Sequence, residues 1–363
     1  MGHNNYCVIM GGGVGSRFWP MSREGRPKQF LDIFGTGRSL LRMTFDRFAR
    51  FIPVENILVV TNEMYRDQVL EQIPEMRPEQ VLLEPLRRNT APCIAYACYH
   101  IQAKCPDANI IVSPSDHLIL DEDRFVHDLQ RGLEYVSGHS ELLTLGVRPS
   151  RPETGYGYIQ LIPEESKAKD DFHRVQTFTE KPNRELAEIF VSSGEFLWNS
   201  GMFVWNLQTI MRELHLQLPD LCSLMEEGLG DFATERERAF IHDAFPRCQS
   251  ISIDYGVMEK AEHVAVLPVD FGWADLGTWG SIYDLKDKDA DDNVTLRGEA
   301  IYYESKGNMV ALEDSDKLVV LQGINDCIVA EADGVLLVCH KDEEQRIKDF
   351  TNEASQRYNK KYD

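Results

Sequence analysis

No C-x-x-C pair occurs among the eight cysteines of this chain, so neither a zinc ribbon nor a dithiol motif is encoded, and buried reduced thiols are expected. No apolar run approaches the length needed to span a bilayer. The amino terminus, MGHNNYCVIMGGG, has no basic segment leading into a long apolar one, and Tyr6 stands where a myristoylation signal requires Ser or Thr. Positive charge is scarce as well: 38 Lys and Arg face 59 Asp and Glu, a formal net charge of -21. A field of that sign repels nucleic acid and anionic membranes, which argues against both as partners and requires any phosphate site to be built locally. The expectation is a cytoplasmic protein.

What is present is enough chain, 363 residues, for one large α/β domain and a smaller one. Short apolar runs at residues 6–10 (YCVIM), 57–60 (ILVV), 81–83, 110–112 and 142–145 are bounded by turn residues or charges and predict buried strands. Leu41, Phe45, Phe48 and Ile52 fall at helical spacing, and residues 91–103 form a helix of small residues. This alternation predicts βαβ units around a Rossmann-like, mostly parallel mixed sheet, with ligands at the carboxyl ends of its strands. From about Asn293 the runs AIYY, NMVAL, KLVVLQG, DCIVAEADG and VLLVCH follow too closely for intervening helices. They predict a small all-β unit, either a few coils of β-helix or a compact sheet, closed by a charged helix over about 342–358. With LKDKDADDN, residues 285–293, as linker, the expected domains are 1–288 and 293–363.

Residues 11–20, GGGVGSRFWP, fit neither common phosphate motif. A dinucleotide fingerprint needs glycine where Ser16 stands, and no G-K-[ST] completes a Walker loop. Glycines alone would make only a tight turn. Arg17 and Lys28 change the reading, because bare backbone N–H groups can close on phosphate oxygens while two cations, on a path stiffened by Pro20 and Pro27, neutralise the charge. The pattern G-G-G-x-G-x-R-x-W-P…P-K-Q resembles the signature of the sugar-nucleotide pyrophosphorylases, and the W-P and P-K-Q-F-L spelling resembles their mannose-1-phosphate guanylyltransferase (GDP-mannose pyrophosphorylase) branch. The resemblance extends over roughly residues 6–285 through five motifs in order. It implies a nucleotidyltransferase fold, GTP and mannose 1-phosphate as substrates, and Mg²⁺ with Mn²⁺ or Co²⁺ as substitutes, while the exposed strand edge of the β-helix-like tail leads us to expect a homodimer.

The same resemblance implies roles for particular residues. Gly11, Gly12, Gly13, Gly15 and Ser16 would hold the nucleoside triphosphate, and Arg17 and Lys28 would stabilise the departing pyrophosphate. EPLRRNTAP, residues 84–92, starts a helix with Asn89 or Thr90 as its cap; the resemblance adds guanine recognition, with Glu84 and Asn89 as candidates. IIVSPSDH brings Ser115 and Asp116 to the end of a strand, and GWADLGTW carries Asp275. Each Asp would serve in a turn on its own account, and the resemblance makes them the two metal ligands. Tyr156 and Gly157 in TGYGYIQ, Glu180 and Lys181 in FTEKPN, and Asn199 in FLWNSGMFVW would face the sugar phosphate. Adjacent strand residues point to opposite faces, so Glu180 and Lys181 reach one ligand only if the chain turns there.

Ser16, Phe18 and Ala274 depart from common family spellings without removing a charge. A pyrophosphorylase for another sugar or base, or a silent sugar-nucleotide-binding subunit, are the alternatives; intact Arg17, Lys28, Asp116 and Asp275 count against silence. Longer relatives add a cupin-type isomerase domain, and this chain is expected to be monofunctional.

Overall fold

The computed structural model describes residues 4–162 and 172–362; the first three residues, on which part of the amino-terminal reading rests, lie outside it. The chain forms two compact units. One comprises residues 1–12, 45–115 and 119–273, the other residues 13–44, 116–118 and 274–363.

The first unit is built on a nine-stranded mixed sheet. Its strands are β1 (Asn5–Gly11), β2 (Ile57–Asn62), β3 (Val81–Glu84), β4 (Asn109–Pro114), β6 (Leu142–Val147), β7 (Gly157–Leu161), β8 (His173–Glu180), β9 (Phe196–Asn206) and β10 (Val264–Val269). The two-residue strands β5 (Leu118–Ile119) and β11 (Trp273–Ala274) mark places where the chain passes between units. Spatial order is β3-β2-β1-β4-β9-β6-β10-β8-β7, and β7 pairs with β9 again, so the last five strands close on themselves. The five short apolar runs read as strands are the cores of β1, β2, β3, β4 and β6, and β1 runs parallel to both β2 and β4. Apart from the half-buried Met10, those runs are buried, as strands covered on both faces must be. The helix Thr90–Lys104 has buried residues nearly all round, which explains its composition of Ala, Cys and Ile. Antiparallel β9 interrupts the parallel order, and its length, Phe196–Asn206, lets it pair with β4, β6 and β7 in succession.

In the second unit β12 (Val294–Arg297), β14 (Met309–Leu312) and β16 (Cys327–Ala332) stack in parallel, as do β13 (Glu299–Tyr303) and β15 (Leu318–Gln322). Parallel strands at this spacing are coils, so of the two architectures open for the tail the β-helix-like one is found. β17 (Val335–His340) closes it antiparallel to β16, and the helix Ile347–Arg357 follows. Inside the coils Asn308 is fully buried: its amide donates to Asn293 Oδ1 (3.0 Å) and to the Ile324 carbonyl (2.7 Å), and accepts from the Cys327 N–H (3.0 Å).

The division differs from a boundary near residue 290, because the glycine-to-lysine stretch, residues 13–44, belongs with the coils. Phe18, Trp19, Leu40, Leu118, Leu276, Trp279 and Ile282 share one apolar cluster with Met309, Ala311, Ile328, Leu337 and Ile347. Burial of that shared surface holds the segments together.

Candidate active site

Three groups of side chains gather most of the residues singled out in the sequence, one in the second unit and two in the first. In the second unit the glycine loop folds back over Lys28. Gly15 has φ of 69°, and a Cβ built there would lie 2.5 Å from Lys28 Cβ, so glycine is required both by the backbone and by the lysine beneath it. The Lys28 N–H donates to the Val14 carbonyl (3.2 Å). Its side chain is only 3% exposed, and Nζ reaches Asp116 Oδ2 and the main-chain carbonyl of Asp275, each at 2.9 Å. One cation thus joins two segments that are far apart in sequence. Burial works to raise the Asp116 pKa, but the Lys28 ammonium, with His117, outweighs it and holds the carboxyl below its ordinary value.

The Asp275 carboxylate is oriented from below. Oδ1 accepts the Gly277 N–H at 2.9 Å, and a Cβ at residue 277 would come within 2.6 Å of Oδ2. The glycine of GWADLGTW therefore makes room for the aspartate two residues before it. Arg17 lies apart from this group: its Nε donates to Gln345 Oε1 at 2.9 Å. Ser16 and Arg17 form the short 3-10 turn Ser16–Phe18 that leads out of the loop.

In the first unit, Gly11 and Gly12 end β1, with Glu84 at the end of β3 beside them; a Cβ on Gly12 would sit 4.0 Å from Glu84 Oε2. Glu84 is 4% exposed, and its Oε1 has no hydrogen-bond partner among the described residues. Burial lifts its pKa to about 7, against the pull of Cys93 and Arg87. Asn89 is the helix cap, accepting from the Thr90 N–H (2.9 Å) with φ of 67°. Thr90 itself turns elsewhere, its Oγ1 accepting the Ile253 N–H at 2.8 Å. Ser115 is buried, its N–H bonded to the Met10 carbonyl.

Gly157, Glu180, Lys181 and Asn199 meet in a second recess of the same unit. Gly157 pairs with Glu180 across β7 and β8, and a Cβ on it would strike Glu180 Oε2 at 2.3 Å. The chain turns at Lys181, φ 48°, and its Nζ lies 3.1 Å from Glu180 Oε1. Tyr156 packs edge-on against Trp198 and Trp273, both with centroids 5.2 Å away. Asn199 donates from Nδ2 to Asp254 Oδ1 at 2.8 Å. Asp254 was singled out by no motif. It stands alone in SIDYGVM, and no spacing or paired charge in the sequence marks it.

Comparison with known proteins matches residues 6–292 to the nucleotidyl transferase family and residues 298–353 to the mannose-phosphate isomerase/GMP-like β-helix domain. Mannose-1-phosphate guanylyltransferase 2 of Escherichia coli O157:H7 is 35% identical over 94% of this chain and 72% of its own length. A mannose-1-phosphate guanylyltransferase of Salmonella montevideo is 37% identical with the same coverage. A crystal structure described as a mannose-1-phosphate geranyltransferase, from Thermus thermophilus, superposes with a TM-score of 0.86 at 31% identity, covering 97% of this chain and 99% of that one.

The buried Glu84 carboxyl has a measurable consequence. Its pKa is about 7 in the fold against an ordinary 4.5, so between those values the folded protein holds a proton that the unfolded chain has lost. Stability therefore falls as pH rises through this window, by about 3 kcal/mol at most. Glu84→Gln is expected to match the wild type near pH 4.5 and to exceed it at pH 8 by several degrees in Tm, read by thermal unfolding across pH. Parallel curves for the two proteins would refute the burial argument.

Proposed function

The chain belongs to the nucleotidyl transferase family, and on that footing we propose that it converts GTP and α-D-mannose 1-phosphate to GDP-mannose and pyrophosphate. The observation that carries the proposal is the meeting of Lys28, Asp116 and Asp275 in a chain that aligns with guanylyltransferases over nearly its whole length. In this reaction a sugar phosphate oxygen attacks the α-phosphorus in line with the leaving pyrophosphate, so alignment and charge neutralisation are the protein's tasks and no enzyme nucleophile is required.

Gly11, Gly12, Gly13, Gly15 and Ser16, with Ser115, are assigned to the triphosphate, whose oxygens bare N–H groups can approach. Lys28 and Arg17 are assigned to the pyrophosphate; Arg17 would have to leave Gln345 to reach it. Glu84, with an unpartnered oxygen beside the loop, suits the N1–H and N2–H donors of guanine, and Asn89 and Thr90 hold the start of its helix. Lys181 is assigned to the sugar phosphate, Glu180 and Asn199 to hydroxyls, and Tyr156 and Gly157 to the wall of that recess.

Nucleotidyltransferases generally use a divalent metal. The residues here fit one, since hard oxygen donors from Asp116 and Asp275 already lie about a single cation, the Lys28 ammonium, and Gly277 leaves the Asp275 carboxylate uncrowded. We assign Mg²⁺ to Asp116 and Asp275; when bound it supplies neutralisation of phosphate charge.

No helix among the described residues is long and apolar enough to cross a membrane, and a cytoplasmic location is proposed with the substrates. Self-association is proposed through the coils: Ile301, Tyr303, Leu318 and Val320 are all at least 42% exposed on one face of β13 and β15, with Ile301 opposite Val320. Light scattering at micromolar concentration is expected to give twice the chain mass, and a monomer there removes this part of the proposal.

A pyrophosphate-release assay over a grid of nucleotides and sugar phosphates tests the reaction. GTP with mannose 1-phosphate is expected to give the highest kcat/KM of any pair, because a base edge that leaves buried polar groups unpaired is rejected. Equal turnover with ATP or dTTP would sink the guanine assignment and leave the reaction class intact. For the metal pair, Asp116→Asn and Asp275→Asn are each expected to lower kcat by roughly two orders of magnitude or more, and the double variant to be little worse than the poorer single one, as groups acting together behave. Losses that multiply, with Mg²⁺ dependence unchanged, would place the two residues at separate tasks.

A further inference from the structure

Asp254 opens the π-helical turn Asp254–Met258, a segment that no substrate assignment uses. The turn is fastened at its start: the Ile253 N–H donates to Thr90 Oγ1 at 2.8 Å, and the Ala91 N–H to the Ile251 carbonyl at 3.0 Å. From there Asp254 extends its carboxylate to Asn199, and Oδ1 accepts from Nδ2 at 2.8 Å. The other end of the Asn199 amide is engaged as well. Its Oδ1 accepts the Gly201 N–H at 3.1 Å and faces the Thr144 hydroxyl, whose proton it shares with the Met202 carbonyl, each at 3.3 Å. One N–H of Asn199 is therefore all that it can offer a ligand, and Asp254 dictates that this is a donor.

A sugar hydroxyl both accepts and donates, so an amide N–H next to a carboxylate oxygen is the complement of one hydroxyl. Glu180 supplies a second carboxylate in the same recess, ion-paired at 3.1 Å with the Lys181 ammonium, and Gly157 leaves the room that this carboxylate occupies. We propose that Asp254 is a specificity-determining residue of the sugar recess, fixing Asn199 as a donor and accepting a hydrogen bond from the ring hydroxyl that Asn199 addresses, alongside the one taken by Glu180. This rests on the reading of the recess as the hexose phosphate site. A sugar epimer whose hydroxyl points away leaves Asn199 and Asp254 unpaired, and a buried polar site rejects such a ligand strongly.

The recess also gives this recognition a pH signature. Burial and then the Glu180 charge lift Asp254 to about 6, against the Asn199 amide, the residue's own N–H and the Lys181 ammonium. Below that pH the carboxyl holds a proton and loses acceptor strength, so binding of the sugar phosphate weakens as pH falls through about 6.

The experiment is steady-state kinetics on the full chain, wild type against Asp254→Asn, with Glu180→Gln as reference and thermal unfolding to confirm the fold. Asp254→Asn is expected to raise KM for mannose 1-phosphate about tenfold or more, to leave KM for GTP within about twofold, and to shrink the preference for mannose 1-phosphate over glucose 1-phosphate by about tenfold. The variant is also expected to lose the part of the rise in sugar-phosphate KM near pH 6 that belongs to Asp254, with the titration of the substrate phosphate common to both proteins. Unchanged KM for the sugar phosphate, or KM values for both substrates rising together with a fall in Tm, would overturn the assignment and make Asp254 a structural residue. If Glu180→Gln leaves the sugar-phosphate KM unchanged too, the reading of the recess itself fails.

Discussion

The ammonium of Lys28 is the interaction on which the second unit is arranged. A lysine that is 3% exposed needs partners for its ammonium, and it has an ion pair with Asp116 and a hydrogen bond to the Asp275 carbonyl. Those three residues come from segments that meet only in the fold. The lysine thereby fixes the spacing of two carboxylate-bearing loops, and the glycine at residue 15 lets the glycine loop lie directly on its aliphatic stem. Removing the charge would leave Asp116 facing burial without its counterion, the situation that raises a carboxyl pKa and relaxes the loop that carries it.

Absent Cβ atoms do comparable work in three places. Gly15 admits Lys28, Gly157 admits the Glu180 carboxylate, and Gly277 admits that of Asp275. In each case a charged side chain occupies the volume that any other residue would fill. The recess around Glu180 also shares its frame with the helix Thr90–Lys104, because Thr90 at the helix start holds the segment that delivers Asp254. The helix start and the Asn199–Asp254 pair are thus tied through the Thr90 hydroxyl.

Much of this was legible in the sequence, for definite reasons. The buried runs of β1, β2, β3, β4 and β6 are continuous and apolar because strands covered on both faces leave no polar alternation, and their order with helices made the sheet readable. The parallel coils were readable only as one of two options, since close spacing of strands does not say whether they stack or fold into a sheet. Lys28, Asp116 and Asp275 were found through motif spelling, and the ion pair among them was not, because no local rule brings residues so distant together. Asp254 escaped altogether: its significance comes from Asn199 and Glu180 across the recess, and SIDYGVM has no pattern of its own. The partition of the chain escaped for a similar reason, as Phe18 and Trp19 read as part of a loop until Met309, Ile328 and Leu337 are seen packed with them.

That partition bears on modularity. A family boundary falls between residues 292 and 298, and there the coils look like a cassette that could be exchanged or discarded. One apolar face of β14 and β16, however, is covered by Phe18, Trp19 and Trp279, and the Trp19 indole N–H donates to the carbonyl of Tyr362, almost at the end of the chain. A shortened protein would keep every residue of the glycine loop and still present its aromatic underside to water. Recombination at the boundary would therefore succeed only with a donor whose coils carry the matching apolar surface, although a long stretch of sequence separates loop and coils.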